Sequence, residues 1–171
     1  MRARFFLYLG AFLLVSLLAG AFAGLTAGAA APAPQADVGA AASVTLYPTQ
    51  DSSVLSTNPT GNYGAEATLV VARDISVTGA PTYGLSLLQF DLAKAGIPAG
   101  AVITKATLRL YLERLAGGTP MSIVPDGVDA AWTELGVNWN NKPASTNWGD
   151  AGAAINDVAG VKDIDVTNTV V

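Results

Sequence analysis

The chain has 171 residues, no cysteine, no histidine and a net charge of −4. These values predict one domain of ordinary size, and they exclude disulfides, thiolate zinc sites and every catalytic triad that needs histidine or cysteine. The acidic balance argues against nucleic acid as a partner, because binding to phosphates needs a basic surface.

The first 29 residues have the organisation of a secretory signal peptide. Arg2 and Arg4 form a short basic region, and the uncharged, mainly apolar run Phe5–Leu18 follows it. Small residues then supply A-x-A cleavage motifs at 21–23 and 27–29. We therefore predict a signal peptide over residues 1–29 and a secreted or cell-surface protein with no stable membrane insertion after cleavage.

The alternative is that the same segment is retained as a membrane anchor. No charged residue occurs between Arg4 and Asp37, and this uncharged run is longer than the ~20 residues that span a bilayer. We prefer the cleaved signal, because the second half of the run is rich in glycine, alanine and proline, which are weakly hydrophobic. Residues 30–42 then predict a flexible, Ala/Pro-rich linker.

From residue 43 onward, short β-prone runs alternate with turn-forming residues. In chain order, the predicted strands are Val44–Tyr47, Thr68–Arg73, Tyr83–Asp91, Lys105–Glu113, Pro120–Val124 and Ile164–Val171. Turn signals rich in glycine, proline and asparagine separate them, as at 58–62 and 97–100. Many short strands with such turns favour a β-sandwich or barrel over residues 43–171.

The clearest predicted strand is 105–113, where apolar and polar side chains alternate strictly. One face carries Ala106, Leu108, Leu110 and Leu112, and the other carries Thr107, Arg109, Tyr111 and Glu113. A period of two residues predicts one buried and one solvated face, as in an antiparallel sheet.

Four motifs, in a fixed order, resemble one family. They run from Asp51 to Gly64, from Leu87 to Leu92, from Ile97 to Tyr111, and through the W-x-E…W-N-N-x-P pattern from Trp132 to Pro143. Together they resemble the DNRLRE-type domain, also classed as carbohydrate-binding module family 96, from about Ser43 to the end of the chain. The resemblance implies an all-β, antiparallel jelly-roll β-sandwich, here preceded by the signal peptide.

The resemblance also implies a function. The DNRLRE-type family is similar to modules that are appended to polysaccharide lyases or repeated in cell-surface proteins. Some members bind acidic polysaccharide. We therefore predict a secreted, non-catalytic module that binds a polysaccharide or cell-wall glycan, within a larger surface protein. Two alternatives stay open: a structural or adhesion module with no saccharide site, and a fragment of a polysaccharide lyase or hydrolase.

Aromatic and basic residues are the candidate contacts for a sugar. Trp148 lies in a polar stretch and is the first candidate for an exposed ring, and Tyr111 is the second. Arg109 and Arg73 are candidates for binding an anionic sugar, although basic side chains on a solvated sheet face are the more ordinary explanation. Trp132 and Trp139 are predicted to pack in the core.

Oxygen-bearing side chains in the family motifs raise the alternative of structural calcium. Asp51, Asn62, Asp91 and Glu134 are the candidate ligands, since Ca²⁺ prefers carboxylate and carbonyl oxygens. The sequence lacks the D-x-D-x-D-G pattern of a calcium loop, so we predict no cofactor, and ordinary turn hydrogen bonds are the preferred role of these residues.

The last predicted strand suggests an incomplete domain. Ile164–Val171 is β-prone, ends on two valines and has no closing turn. Members of the resembling family continue beyond this point through further strands. We therefore expect a sandwich that lacks its final strands or receives one from a neighbouring molecule.

Overall fold

The computed structural model describes residues 3–18, 42–74, 79–115, 120–156 and 158–170, with side chains described from residue 42 onward. Apart from one 3-10 helix and one turn of α-helix, the regular structure in these residues is β-strand, which confirms the predicted all-β class. In this part of the chain, no helix has the length and apolar character needed to cross a membrane.

The described residues form twelve strands. They are β1 (Ala3–Leu18), β2 (Ala42–Leu46), β3 (Gln50–Leu55), β4 (Thr68–Leu69), β5 (Ala72–Asp74), β6 (Thr82–Gln89), β7 (Val102–Leu115), β8 (Met121–Ile123), β9 (Gly127–Val128), β10 (Ser145–Thr146), β11 (Ala153–Ile155) and β12 (Gly160–Asp165). The 3-10 helix Leu92–Ala95 precedes β7, and helix α1 (Thr167–Val170) follows β12.

Eight of these strands make one antiparallel sheet. Its order is β12-β7-β1-β5-β6-β3, and β2 and β4 also pair with β1. The other four strands form two small ribbons, β9 with β10 and β8 with β11. The jelly-roll path stays a prediction.

Strand β7 confirms the alternation of the sequence. Ala106, Leu110 and Leu112 are buried, whereas Arg109 and Tyr111 between them are exposed. One edge of β7 pairs with β12 and the other with β1. Strand β7 is therefore a central strand of the sheet, paired along both of its edges.

Strand β1 lies in the middle of the sheet, between β7 on one edge and β2, β4 and β5 on the other. It falls within residues 1–29, which the sequence predicts to be a signal peptide; that assignment stays a prediction. The cleavage motifs and most of the predicted linker, residues 30–41, lie outside the described residues.

Strand β3 is buried although it begins Gln-Asp-Ser-Ser, and it lies outside the strands predicted from the sequence. Ser52 and Ser53 are almost inaccessible to solvent. The Ser53 hydroxyl accepts a hydrogen bond from the Val70 amide at 2.8 Å, and Ser86 on the paired strand β6 donates to the Val70 carbonyl at 3.1 Å. Hydrogen bonding compensates for the burial of these hydroxyls.

Two clusters of apolar side chains make the core. The larger one joins β2, β4, β7, β11 and β12 through Leu46, Leu69, Ala106, Leu110, Leu112, Ile155, Ile164 and Val166. The smaller one consists of Val54, Leu87 and Val137, with Trp132 and Trp139 half-buried against it. The expected core packing of these two tryptophans is confirmed in part, because each keeps some exposed surface.

The predicted last strand, Ile164–Val171, is wrong beyond Asp165. Strand β12 ends at that residue, and Thr167–Val170 forms a helical turn instead. The Asp165 carboxylate accepts from the Thr167 amide at 3.0 Å, and the buried Asp150 carboxylate accepts from the amides of Asn168 and Thr169 at 2.8 and 2.9 Å. Carboxylates that cap backbone amides favour a helix start over a continued strand.

Candidate functional site

Two of the predicted sugar contacts, Arg109 and Tyr111, lie on the solvated face of β7. Their cross-strand partners on β12 are Asp163 and Val161. Tyr111 is 44% exposed and Val161 is more exposed still, so this part of the sheet presents an open apolar surface beside a charged pair.

Arg109 is held by the ion pair. Its Nε donates to Asp163 Oδ1 at 2.7 Å, and a terminal guanidinium nitrogen donates to Oδ2 at 2.9 Å. This bidentate hydrogen bonding lowers the pKa of Asp163 below its ordinary value, with attraction to Arg109 and Lys105 adding to the effect. The guanidinium is thus directed at a carboxylate of the protein rather than outward to a ligand.

Trp148, the first predicted platform, is 58% exposed and follows strand β10. Its indole lies against Gly127 of β9, where a Cβ atom would come within 2.3 Å of the indole Nε1. A side chain at position 127 would push the ring away. The predicted exposure of Trp148 is confirmed, and its role in binding stays a prediction.

The loop that carries Trp148 is tied down on both sides of the ring. Asn147 donates its side-chain amide to Asp126 at 2.9 Å and accepts from the Gly149 amide at 2.9 Å. Asn168, in helix α1, donates to the Gly149 carbonyl at 3.1 Å. The ring therefore projects from a hydrogen-bonded loop, which limits the entropy lost when a ligand stacks on it.

Arg73, the fourth candidate, is part of a group that the sequence did not reveal. It lies directly across the β5–β6 pair from Tyr83. The ring of Tyr83 stacks on Trp139, with centroids 6.4 Å apart and planes inclined by 5°. The ammonium of Lys142 lies 4.9 Å from the centroid of the Trp139 ring, within cation–π distance. We call Arg73, Tyr83, Trp139 and Lys142 the aromatic–basic cluster.

A tight asparagine turn positions Trp139. The Asn138 side-chain oxygen accepts from the amides of Asn140 and Asn141 at 3.0 and 3.2 Å. Asn141 returns the contact by accepting from the Asn138 amide at 2.6 Å, and it donates to the Gly136 carbonyl at 2.9 Å. These bonds explain why the W-N-N segment holds its ring half in the small core and half at the surface.

A cavity of about 400 Å³ lies beside Lys142 and the β9–β10 ribbon. Lys142 of the cluster and Asp126 and Ser145 beside the Trp148 loop supply polar groups to its lining. Leu108 and Leu110 also line it, and they lie on the face of β7 opposite to Arg109 and Tyr111. The cavity thus lies on the face of β7 opposite to Tyr111 and Arg109.

Three of the four predicted calcium ligands come together. The Asp51 amide donates to the Glu134 carboxylate at 3.3 Å, and the Asn62 side chain donates to the carbonyls of Glu134 and Val137 at 2.7 Å each. Burial and, secondarily, repulsion from Glu134 raise the pKa of Asp51 above its ordinary value. These donated bonds make Asn62 a link between two segments of the chain. Its side-chain oxygen accepts from the Gly64 amide at 3.2 Å, which fixes the orientation of the amide group.

Asp91 lies apart from these residues. Its carboxylate accepts from the Ala93 amide at 3.1 Å at the start of the 3-10 helix, and it pairs with Lys94 at 3.2 Å. Within the described part of the chain, no three acidic, histidine or cysteine side chains are grouped to hold a metal ion. Asp51 and Glu134 provide two carboxylates, whereas Ca²⁺ takes six to eight oxygen ligands.

Comparison with known proteins identifies a family for the part of the chain that carries these candidate sites. No curated protein and no solved structure matches the chain. The model of carbohydrate-binding module family 96 matches residues 42–171, a span that contains the aromatic–basic cluster, the Trp148 loop and the Asp51–Glu134 pair. The chain therefore belongs to carbohydrate-binding module family 96.

Proposed function

We propose that the protein is a secreted, non-catalytic module that binds polysaccharide through the aromatic–basic cluster. The observation that carries the proposal is the parallel stack of Tyr83 and Trp139, with Lys142 over the indole and Arg73 across the strand pair from Tyr83. Tyr83 is exposed and Trp139 is half-buried, so a fixed aromatic surface faces solvent beside two cations.

This combination suits a sugar chain. The face of an aromatic ring is electron-rich, and the C–H groups on one face of a pyranose are weakly positive, so the two surfaces attract each other and shed water when they stack. Arginine and lysine donate hydrogen bonds to hydroxyl or carboxylate oxygens at the sugar edge. Rings held by the core and by the asparagine turn lose little freedom on binding.

The second aromatic contact of this proposal is the exposed ring of Trp148. Asp126 and Asn147 flank it, and both carry oxygen atoms suited to accept hydrogen bonds from sugar hydroxyls. Two separate aromatic contacts favour a chain of several sugar units over a single monosaccharide. A polysaccharide is thus the ligand class that the surface fits best.

The test uses the full chain, with residues 1–29 still attached. Its binding to a panel of neutral and acidic polysaccharides is measured by affinity electrophoresis and calorimetry. Tyr83→Ala and Lys142→Gln change exposed or half-exposed groups and leave the core residues Val54, Leu87 and Val137 in place. We expect each to weaken binding, and Tyr83→Ala by roughly 5- to 150-fold, as for the loss of one stacked ring.

Tyr111→Ala is the matched control, because it removes an exposed tyrosine from the other surface. We expect its affinity to equal that of the unmodified chain. Loss of binding in Tyr111→Ala with full binding in Tyr83→Ala would move the site to the β7–β12 face. Absence of binding to every polysaccharide in the panel would support a structural or adhesion role instead.

Export is the second part of the proposal, and it rests on the basic start, the uncharged run and the A-x-A motifs of residues 1–29. N-terminal sequencing of protein recovered from the medium or cell surface of an expressing bacterium tests it. We expect a new N-terminus within residues 24–30. Recovery only of membrane-bound protein that still begins at residue 1 would favour a retained anchor.

A further inference from the structure

Strand β1 fills a slot whose walls belong to the family-matched part of the chain. Leu7 lies opposite Leu112 of β7 on one side and Leu69 of β4 on the other. Leu13 lies in the same way between Leu108 of β7 and Leu46 of β2. No direct β7 pairing with β2, β4 or β5 occurs among the described strands, so β1 alone connects these two parts of the sheet.

The strands on both sides of the slot need a strand between them to complete their backbone hydrogen bonds. The inner edge of β7 and the facing edges of β2 and β4 have their ladder partners in β1. Without those partners, backbone amides and carbonyls beside the buried Leu69 and Leu112 would lose their hydrogen bonds. An apolar sheet divided in this way binds an extended chain readily.

The present occupant fits imperfectly. Pairing of β1 with β7 runs from Phe5 opposite Leu115 to Leu18 opposite Val102, and the register shifts three times along it. The cavity of about 400 Å³ is lined by residues of both walls of the slot, including Leu69 of β4 and Leu110 of β7. Each register shift interrupts the regular ladder, so a strand with an unbroken register would pair with β7 more completely.

We propose that the slot is a strand-acceptor site, which β1 closes in the precursor and which takes an uncharged, apolar β-strand of another polypeptide once the export segment is gone. The inference rests on the proposed cleavage of residues 1–29. The chemistry of the partner follows from the occupant, since Phe5–Leu18 contains no charged residue and no proline. A partner strand of about 14 residues, antiparallel to β7, would match the length of the slot.

The test uses the full chain with a site for a sequence-specific protease inserted between residues 32 and 36. The folded protein is cut at that site and then incubated with a fluorescent peptide of residues 3–18 carrying a soluble tail. We expect the peptide to enter the nicked protein at one per chain and to be excluded from the uncut protein, as measured by gel filtration and native mass spectrometry.

A peptide with Leu7→Pro and Leu13→Pro is the matched control, because proline lacks the amide that a central strand donates. We expect its uptake to fall at least tenfold. Three results would overturn the proposal: equal uptake of both peptides, no uptake by a nicked protein that has released its own N-terminal fragment, or nicked chains that dimerise and exclude the peptide.

The same samples separate this inference from the proposed function. Polysaccharide affinity depends on Tyr83, Trp139 and Lys142, and it is measured on the nicked protein before and after peptide uptake. Uptake without polysaccharide binding would refute the binding role alone. An uncleaved N-terminus in exported protein would refute the precursor step even if the nicked chain accepts the peptide.

Discussion

The carboxyl group of Asp51, at the start of β3, lies near that of Glu134. Burial and this proximity disfavour the charged form of Asp51. Because the pKa of Asp51 is raised in the folded state, the folded chain holds its proton more tightly than the unfolded chain does. Folding stability therefore falls as the pH rises through the folded pKa of Asp51. Asparagine resembles the protonated acid in shape and has no charge, so it removes this pH dependence.

We predict that Asp51→Asn raises the melting temperature at pH 7, because asparagine removes the burial of a charge and the repulsion from Glu134. The advantage should disappear below the ordinary pKa of aspartate, where the native carboxyl is protonated too. Thermal melts from pH 3 to pH 8 measure it. Asp91→Asn is the control: it also removes one negative charge, but it weakens a cap and should not stabilise.

Gly127 matters because Trp148 lies over its Cα. We predict that Gly127→Ala displaces the indole and weakens polysaccharide binding by roughly the amount that Trp148→Ala does, while the melting temperature changes little. If the effect acts through the ring, the double variant Gly127→Ala/Trp148→Ala loses no more affinity than Trp148→Ala alone. Additive losses would show that Gly127 acts by another route.

At this scale, the sequence predicted single residues better than their combinations. Trp148 was identified as exposed from its polar neighbours, and the structure agrees. The stack of Tyr83 on Trp139 was not foreseen, because the two rings lie on separate segments that meet only through the β5–β6 pair and the asparagine turn. The alternation of β6 places Tyr83 on the same face as Leu85 and Leu87, a pattern that predicts burial rather than the exposure observed.

Among the elements, β7 offers the sharpest test of the sheet. We predict that Leu110→Asp prevents folding or lowers the melting temperature by more than 10 °C, because an unpaired carboxylate buried in the larger core costs several kcal/mol. Tyr111→Asp changes the next residue, on the solvated face, and should melt within a few degrees of the unmodified chain. Equal melting temperatures for the two variants would contradict the assigned faces of β7.

Thr107 also lies on the predicted solvated face of β7, but Thr107→Asp is a less suitable control than Tyr111→Asp. Thr107 is half-buried and lies directly opposite Asp165 of β12, so an aspartate there would face a like charge across the strand pair. The alternation in β7 was predictable because it depends only on local period. The charge facing each position depends on the register with β12, which no local pattern specifies.

Two of the elements that were not predicted, β3 and helix α1, share a physical cause. Strand β3 is polar in sequence and is buried because Ser53 and Ser86 hydrogen bond to the backbone of a third segment. The helical turn after β12 depends on Asp150, which is distant in sequence. Both depend on hydrogen bonds to segments distant in sequence, whereas the faces of β7 follow its own apolar alternation.

For the molecule as a whole, we predict a wide spread in local stability. Amides in β7 and β12 should exchange with deuterium most slowly, because the fully buried Leu112 and Ile164 lie on these paired strands. The exposed two-residue ribbon of β9 and β10 should exchange fastest, and it should slow when polysaccharide is bound beside Trp148. Uniform exchange across all strands would contradict this distribution.

The position of β1 has a further consequence during synthesis. Its longest partner, β7, ends at Leu115 and so is made about 100 residues after Leu18. At about 5–20 residues per second, that delay is on the order of 5–20 s. For this interval the apolar N-terminal run has no β7 to pair with, although β2, β4 and β5 are made earlier. If residues 1–29 are the export signal proposed above, a receptor can bind them before β7 is made, and β1 pairs with β7 only in chains that have not yet been processed.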